Sequence, residues 1–145
     1  MDTATETGAE TATGISRERL EQALEHSTFA QLLGAELLDF APGRVSLQVR
    51  SRPDLCQHHG YLHGAVVGFM VDSGCAWAAA SMVGDVVTSE YKLNLLAPAL
   101  GERLVCRSEV LKAGRRQAVC RADVFAVQDG AEKLIATGLA TIARV

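Results

Sequence analysis

The sequence lacks three features that mark specialised classes of protein: a CxxC pair, a block of basic residues, and an apolar segment near the N-terminus. Its four cysteines are widely separated and lie largely in apolar runs, so we interpret them as small buried thiols and find no redox motif. Its basic residues are scattered and the net charge is −3, which argues against nucleic-acid binding. Because no signal-peptide core is present, we expect a cytoplasmic protein.

Two regions differ sharply in composition. Residues 1–14 read MDTATETGAETATG, a polar and repetitive stretch that predicts a disordered leader. Residues 15–145 supply most of the hydrophobic residues, which make up 48% of the sequence. That length is sufficient for one domain whose core needs no disulfide bonds.

The segment from His63 to Gly84 is a long apolar stretch in which Asp72 is the only charged residue. It predicts a helix that is apolar on all its faces and therefore buried on all of them. The acid near its middle and the lack of a basic flank favour a core helix over a membrane span. A carboxylate in such surroundings is costly unless it is paired, so Asp72 is either a functional residue or an acid held by a neighbouring hydroxyl or backbone group.

The residues before this segment predict short elements. Ser16 precedes an amphipathic stretch and predicts a capped helix, and a second helical turn is expected to end at Gly34. Residues 35–50 alternate on both sides of Pro42 and Gly43, which predicts a hairpin. Residues 51–61 form a loop that leads into the long helix.

After Gly84 the pattern alternates. The run VVTSEYKLNLL predicts a strand with Val87, Ser89 and Tyr91 on one face, and three more strands follow in meander order with short turns between them. The predicted class is α+β: one curved antiparallel sheet of about six strands wrapped around a long central helix, with a short helix before it.

This layout resembles the hot-dog fold of acyl-CoA thioesterases, specifically the type found in phenylacetic acid degradation. The matching residues are Gly60, the His63–Gly64 pair, Asp72 eight residues after Gly64, Gly101, and the strand TSEYKLNLLAPA. The resemblance extends roughly over residues 34–145. Ala65 replaces the second glycine of the common HGG motif.

The resemblance implies roles for five residues. Asp72 matches the carboxylate that acts as general base or nucleophile, and Gly64 matches the backbone N–H that polarises the thioester carbonyl. Gln57 stands where relatives often have an asparagine that holds the attacking water or the thioester. Ser89 falls near a polar position that assists in some relatives, and His63 would fix the loop or contact the substrate.

Helix geometry places Gly64 and Asp72 too far apart to act on one carbonyl, because eight residues span about 12 Å. If two copies pack about a two-fold axis with antiparallel helices, Gly64 of one lies beside Asp72 of the other. Gly68 and Gly74 would let a partner helix or an acyl group approach. We therefore expect a homodimer, or a homotetramer of paired dimers.

Further candidates would contact the substrate. Lys112, Arg115 and Arg116 flank a turn and would suit the phosphates of coenzyme A, although a solvated hairpin has the same pattern. Phe69 and Met70 lie near Asp72 in the sequence and are candidates for contact with the acyl group, with core packing as the alternative. The remaining substrate-binding candidate is Gly60.

We therefore expect an acyl-CoA thioester hydrolase that uses no cofactor, since coenzyme A is part of the substrate. His58, His59 and His63 have no acidic or thiol partner at ligand spacing, so no metal ion is expected. Two other functions stay open. One is a non-catalytic hot-dog protein that binds acyl-CoA, and the other is a hot-dog hydratase or dehydratase in which His63 and Asp72 act on an enoyl thioester.

Overall fold

The computed structural model describes residues 14–145, so the leader predicted for residues 1–14 lies outside the described residues except for Gly14. The described helices are α1 (Arg17–His26), α2 (Thr28–Leu33) and α3 (Gly64–Val83), with a short 3-10 helix at Pro53–Leu55. The strands are β1 (Glu36–Ala41), β2 (Arg44–Arg50), β3 (Val86–Leu95), β4 (Arg103–Ala113), β5 (Gln117–Gln128) and β6 (Ala131–Arg144).

The two short helices begin and end where their sequence predicts. The Ser16 hydroxyl accepts the N–H of Arg19 at 3.2 Å and caps α1. Gly34 follows α2 with φ of 69°, a left-handed conformation that glycine adopts without steric cost. Both predicted caps are confirmed.

The six strands form one antiparallel sheet in the order β1-β2-β4-β5-β6-β3. Strands β4, β5 and β6 form the predicted meander. Strand β3 pairs with β6 at one edge of the sheet, so the chain crosses over between β3 and β4. The sheet curves around α3, which contacts β2, β3, β4, β5 and β6. The predicted fold class is confirmed.

Helix α3 is buried on one side only. Its sheet-facing residues, including Val67, Met70, Val71 and Cys75, are fully buried. Ala65 is exposed, Met82 is 41% exposed, and the residues between them on the same side are only half-buried, namely Phe69, Asp72, Ser73, Ala76 and Trp77. The prediction of a helix buried on all faces is therefore wrong within one chain, because the sheet covers only part of its circumference.

Three of the four cysteines lie in the core between α3 and the sheet. Cys75, Cys106 and Cys120 are buried free thiols, whereas Cys56 is half-buried in the loop before α3. Burial raises the pKa of Cys120 to about 11 and raises the pKa of Cys75 and Cys106 further above the ordinary thiol range. By length and composition α3 alone, among the described helices, is apolar enough to cross a membrane, and here it forms the core of the domain.

Candidate active site

The N-terminus of α3 presents one free backbone donor. The ring Nδ1 of His63 accepts the N–H of Ala65 at 2.9 Å, and the carbonyl oxygen of His63 accepts the N–H of Val66 at 2.9 Å. Within residues 14–145 no group accepts the N–H of Gly64, the first residue of the helix. This N–H lies at the positive end of the helix dipole, where an anionic oxygen is stabilised.

Asp72 lies half-buried in the middle of α3 with one oxygen held. The hydroxyl of Thr88, on β3, donates to Asp72 Oδ1 at 2.6 Å. No described side chain bonds to Oδ2, yet no buried polar side-chain atom among the described residues lacks a partner, so Oδ2 must be reached by solvent. The carboxylate therefore has one fixed oxygen and one oxygen open to a substrate.

Thr88, and not its neighbour Ser89, is the β3 hydroxyl that reaches Asp72. Ser89 is exposed and occupies a β-bulge, because the residues on either side of it pair with consecutive residues of β6. The extra residue shifts the alternation, so Thr88 and Tyr91 both face α3 although three positions separate them. The predicted common face of Val87, Ser89 and Tyr91 is therefore wrong. An unbroken alternation, the pattern that the sequence predicts, does not place Thr88 beside Asp72.

The predicted loop residues lie together just before α3. The side-chain oxygen of Gln57 accepts the backbone N–H of His59, so it supports its own loop. Gly60 closes the same loop with φ of 87° and donates its N–H to the Gln57 carbonyl at 3.0 Å. The rings of His58 and His59 lie 4.0 Å apart. Among residues 14–145, no three His, Cys, Asp or Glu side chains are close enough to hold a metal ion.

A groove of about 330 Å³ connects this loop with the start of α3. Gln57 and Gly64 line it, together with apolar side chains that include Leu62, Val67 and Leu95. Asp72 is not part of it. A larger groove of about 670 Å³, formed by residues of β1, β2, β4, β5 and Arg17, contains none of the predicted site residues.

The two residues predicted to contact the acyl group lie on different sides of α3. Phe69 is half-buried on the uncovered side, where its ring meets that of Phe29 edge to face at 5.6 Å. Met70 is completely buried in the core. Met70 is two positions before Asp72, which is about 200° around a helix, so only Phe69 shares the side of Asp72.

The two glycines expected to admit a partner instead face this chain's own sheet. A Cβ at Gly74 would lie 3.1 Å from Cys106 Sγ, and one at Gly68 would lie 3.0 Å from Tyr91 Oη. That prediction is corrected, because side chains of β3 and β4 already fill the space that these glycines leave.

Lys112, Arg115 and Arg116 are exposed at the turn between β4 and β5. None of them forms an ion pair within the described part of the chain. The turn lies at the end of the sheet where β3 begins, since the last residues of β6 pair with the first residues of β3 and β5. The three positive charges are therefore nearer to the Thr88 end of β3 than to its Leu95 end, which contacts Gly64.

Within one chain, Gly64 and Asp72 do not converge. Both belong to α3, and eight helical positions separate them by about 12 Å along the axis. Within one chain the free N–H of Gly64 and the carboxylate held by Thr88 are therefore too far apart to contact the same carbonyl group.

Comparison with known proteins identifies the family. Residues 59–133 match the model of the thioesterase superfamily. Human acyl-coenzyme A thioesterase 13 is 30% identical over 126 residues, which cover 84% of this chain and 89% of the human protein.

Solved structures agree with that match. A thioesterase family protein from Silicibacter pomeroyi has 38% sequence identity and a TM-score of 0.84, over 87% of this chain and 95% of that chain. A variant of the phenylacetic acid degradation protein PaaI from Thermus thermophilus has 28% identity and a TM-score of 0.73, over 82% of this chain and all of that chain, 100%. The chain therefore belongs to the thioesterase superfamily and is a hot-dog thioester hydrolase.

Proposed function

We propose that this protein hydrolyses acyl-CoA thioesters to the free acid and coenzyme A at a site built from two subunits. In this site Asp72 is the general base or nucleophile, and the Gly64 N–H of the partner subunit is the oxyanion donor. The observation that carries the proposal is the pairing, on one helix, of an unpartnered N-terminal N–H with a half-buried carboxylate held by Thr88. The similarity to human acyl-coenzyme A thioesterase 13 supports coenzyme A as the thiol part of the substrate.

Hydrolysis of a thioester requires a nucleophile at the carbonyl carbon and stabilisation of the negative charge on the carbonyl oxygen. The Gly64 N–H meets the second requirement because it is preorganised at a helix N-terminus and has no competing acceptor. The open oxygen of Asp72 meets the first, either by accepting a proton from water or by attacking the carbon itself. The Thr88 hydrogen bond keeps the carboxylate in one orientation in both cases.

The uncovered surfaces of the chain support assembly with a second copy. Strand β3 is an edge strand, and its side chains Val87, Tyr91 and Leu95 are 57%, 43% and 58% exposed. An apolar edge strand next to a half-covered helix favours pairing with another sheet edge. An antiparallel pairing of this kind would bring Gly64 of each chain to Asp72 of the other.

Two further groups of side chains would contact the substrate. Lys112, Arg115 and Arg116 have no ion pairs within residues 14–145 and would bind the phosphates of coenzyme A. Phe69 lies one helical turn before Asp72 on the uncovered side and would contact the acyl group. The cytoplasmic location stays a prediction.

The test is release of free thiol from short-chain, long-chain and aromatic acyl-CoAs by the wild type and by Asp72→Asn. The variant keeps the size of the side chain but removes the base, so we expect turnover to fall by about 100-fold or more. Asp129→Asn is the matched control, because Asp129 lies in the exposed β5–β6 turn with φ of 50°, a conformation that asparagine also adopts. Equal turnover by wild type and Asp72→Asn would reject Asp72 as the base, and a wild type inactive on every acyl-CoA would reject the proposed function.

A further inference from the structure

The hydroxyl of Tyr91 lies along α3 between Gly64 and Asp72, and the proposed mechanism gives it no role so far. A Cβ at Gly68 would lie 3.0 Å from Tyr91 Oη and 3.8 Å from its ring carbon Cζ, so the hydroxyl rests on the helix surface at Gly68. Gly68 is four residues after Gly64 and four before Asp72. The three positions therefore form one stripe along α3, because four residues complete slightly more than one turn.

The Tyr91 hydroxyl has no hydrogen-bond partner in the described part of the chain. Tyr91 makes no side-chain hydrogen bond within residues 14–145, and 43% of the residue is exposed. A phenolic hydroxyl both donates and accepts hydrogen bonds, and one turned toward a protein surface normally has a partner. An apolar side chain would fill the same space without leaving a polar atom at the helix.

The β-bulge at Ser89 is what brings Tyr91 to this position. In a regular strand, Thr88 and Tyr91 would point to opposite faces because three positions separate them. The bulge turns both toward α3, so Thr88 contacts Asp72 and Tyr91 contacts the preceding turn at Gly68. Helical side chains tilt toward the N-terminus, so the Asp72 carboxylate leans toward the turn that Tyr91 covers.

The attacking water lacks a second partner in the site described so far. Gln57 occupies the position expected to hold it, but its side-chain oxygen is bonded to the backbone of its own loop. Asp72 Oδ2 can accept only one of the two protons of a water molecule. A second acceptor near the carboxylate would fix the direction of the oxygen lone pair that attacks the carbonyl carbon.

We infer that Tyr91 is a further catalytic residue, whose hydroxyl binds the attacking water together with Asp72. This inference rests on the proposed function. The water oxygen bonds to the carbonyl carbon while one water proton passes to Asp72 Oδ2, and the second proton stays hydrogen-bonded to Tyr91 Oη. The C–S bond then breaks, and the thiolate leaves and takes up the proton from Asp72. Tyr91 keeps its own proton throughout.

The test is Tyr91→Phe, which removes only the hydroxyl oxygen. We expect kcat for an acyl-CoA that the wild type hydrolyses to fall about tenfold, the effect of one hydrogen bond, while KM changes less than about twofold. With hydroxylamine as a competing nucleophile, the ratio of hydroxamate to acid should rise severalfold, because only the water depends on Tyr91. Thr141→Val is the matched control, since its hydroxyl bonds to Glu90 away from α3.

Each result decides the inference. An unchanged kcat, or a fall in kcat with an unchanged product ratio, would overturn it. A Tyr91→Phe variant that sediments as a smaller species than the wild type would also overturn it, because the hydroxyl would then act in subunit association. If Asp72→Asn is inactive while Tyr91→Phe matches the wild type, the proposed function stands and only the role of Tyr91 fails.

Discussion

At the scale of single residues, Thr88 and Ser89 are adjacent in sequence, but only the Thr88 hydroxyl contacts the Asp72 carboxylate. Thr88 donates to Asp72 at 2.6 Å, whereas Ser89 is exposed at the bulge. A hydrogen bond to a charged group contributes about 1.5–3 kcal/mol, so its removal leaves the carboxylate less firmly oriented. Asp72 depends on Thr88 more than on any other described side chain.

We expect Thr88→Val to lower kcat about tenfold, and to lower it more than Ser89→Ala does. Valine keeps the branched shape and loses only the donor, so the strand and the packing against α3 persist. Steady-state kinetics of the two variants, together with their thermal unfolding temperatures, compare the effects directly. A larger loss in Ser89→Ala would return the assisting role to the residue that the sequence resemblance indicates.

At the scale of secondary-structure elements, the sequence predicted those features of α3 that have a local physical cause. The helix boundaries follow from His63, Gly64 and Gly84, since capping and breaking signals are local. The face of Met70 also follows from helical geometry, although proximity to Asp72 in sequence suggested otherwise. Local patterns were therefore sufficient wherever the physical cause was local.

Strand β3 shows where local patterns fail. Its bulge depends on pairing with β6, some fifty residues later in the chain, and a single extra residue reverses which side chains face the helix. Its position beside β6 rather than β4 is equally a long-range choice. Sequence motifs therefore mark Asp72 and Gly64 as site candidates, whereas only the sheet register brings Thr88 to Asp72 and Tyr91 to Gly68.

The buried thiols that α3 and the sheet enclose predict a dependence of stability on pH. Burial raises the pKa of Cys120 to about 11, against an ordinary value of 9.0. Above about pH 9 the unfolded chain loses thiol protons that the folded chain keeps. The free energy of unfolding is therefore highest below that pH and falls as the pH rises toward the pKa of the thiol in the folded chain. Each such thiol lowers the free energy of unfolding by up to about 1.4 kcal/mol per pH unit.

We therefore expect the denaturation midpoint to fall between about pH 9 and about pH 10.5, and to fall less steeply in Cys120→Ala. Loss of the buried sulfur changes the stability of the variant at every pH. The quantity to compare is therefore the change of the denaturation midpoint with pH, not the midpoint itself. Identical slopes for wild type and variant in urea denaturation would show that Cys120 ionises equally in both states.

At the scale of the whole molecule, the proposed two-subunit site is tested by removing the Gly64 N–H and the Asp72 carboxylate in separate chains. The Gly64 N–H can be removed without disturbing the helix, because proline lacks the N–H and is favoured at the first helical position. His63 already has φ of −60° and ψ of 141°, which a following proline permits. Gly64→Ala keeps the N–H, and its Cβ would lie 3.3 Å from the end of the flexible Leu95 side chain.

We expect Gly64→Pro to be as inactive as Asp72→Asn, while Gly64→Ala keeps most of the wild-type activity. All three variants should fold like the wild type. A mixture of the two inactive variants, unfolded and refolded together, should regain about a quarter of wild-type turnover, since half of the dimers are mixed and one of their two sites is intact. Turnover of the mixture that stays at the level of the separate variants would place the whole site within one chain. Recovery would instead require that the Gly64 N–H and the Asp72 carboxylate act on one thioester from different subunits, since no single chain in the mixture carries both.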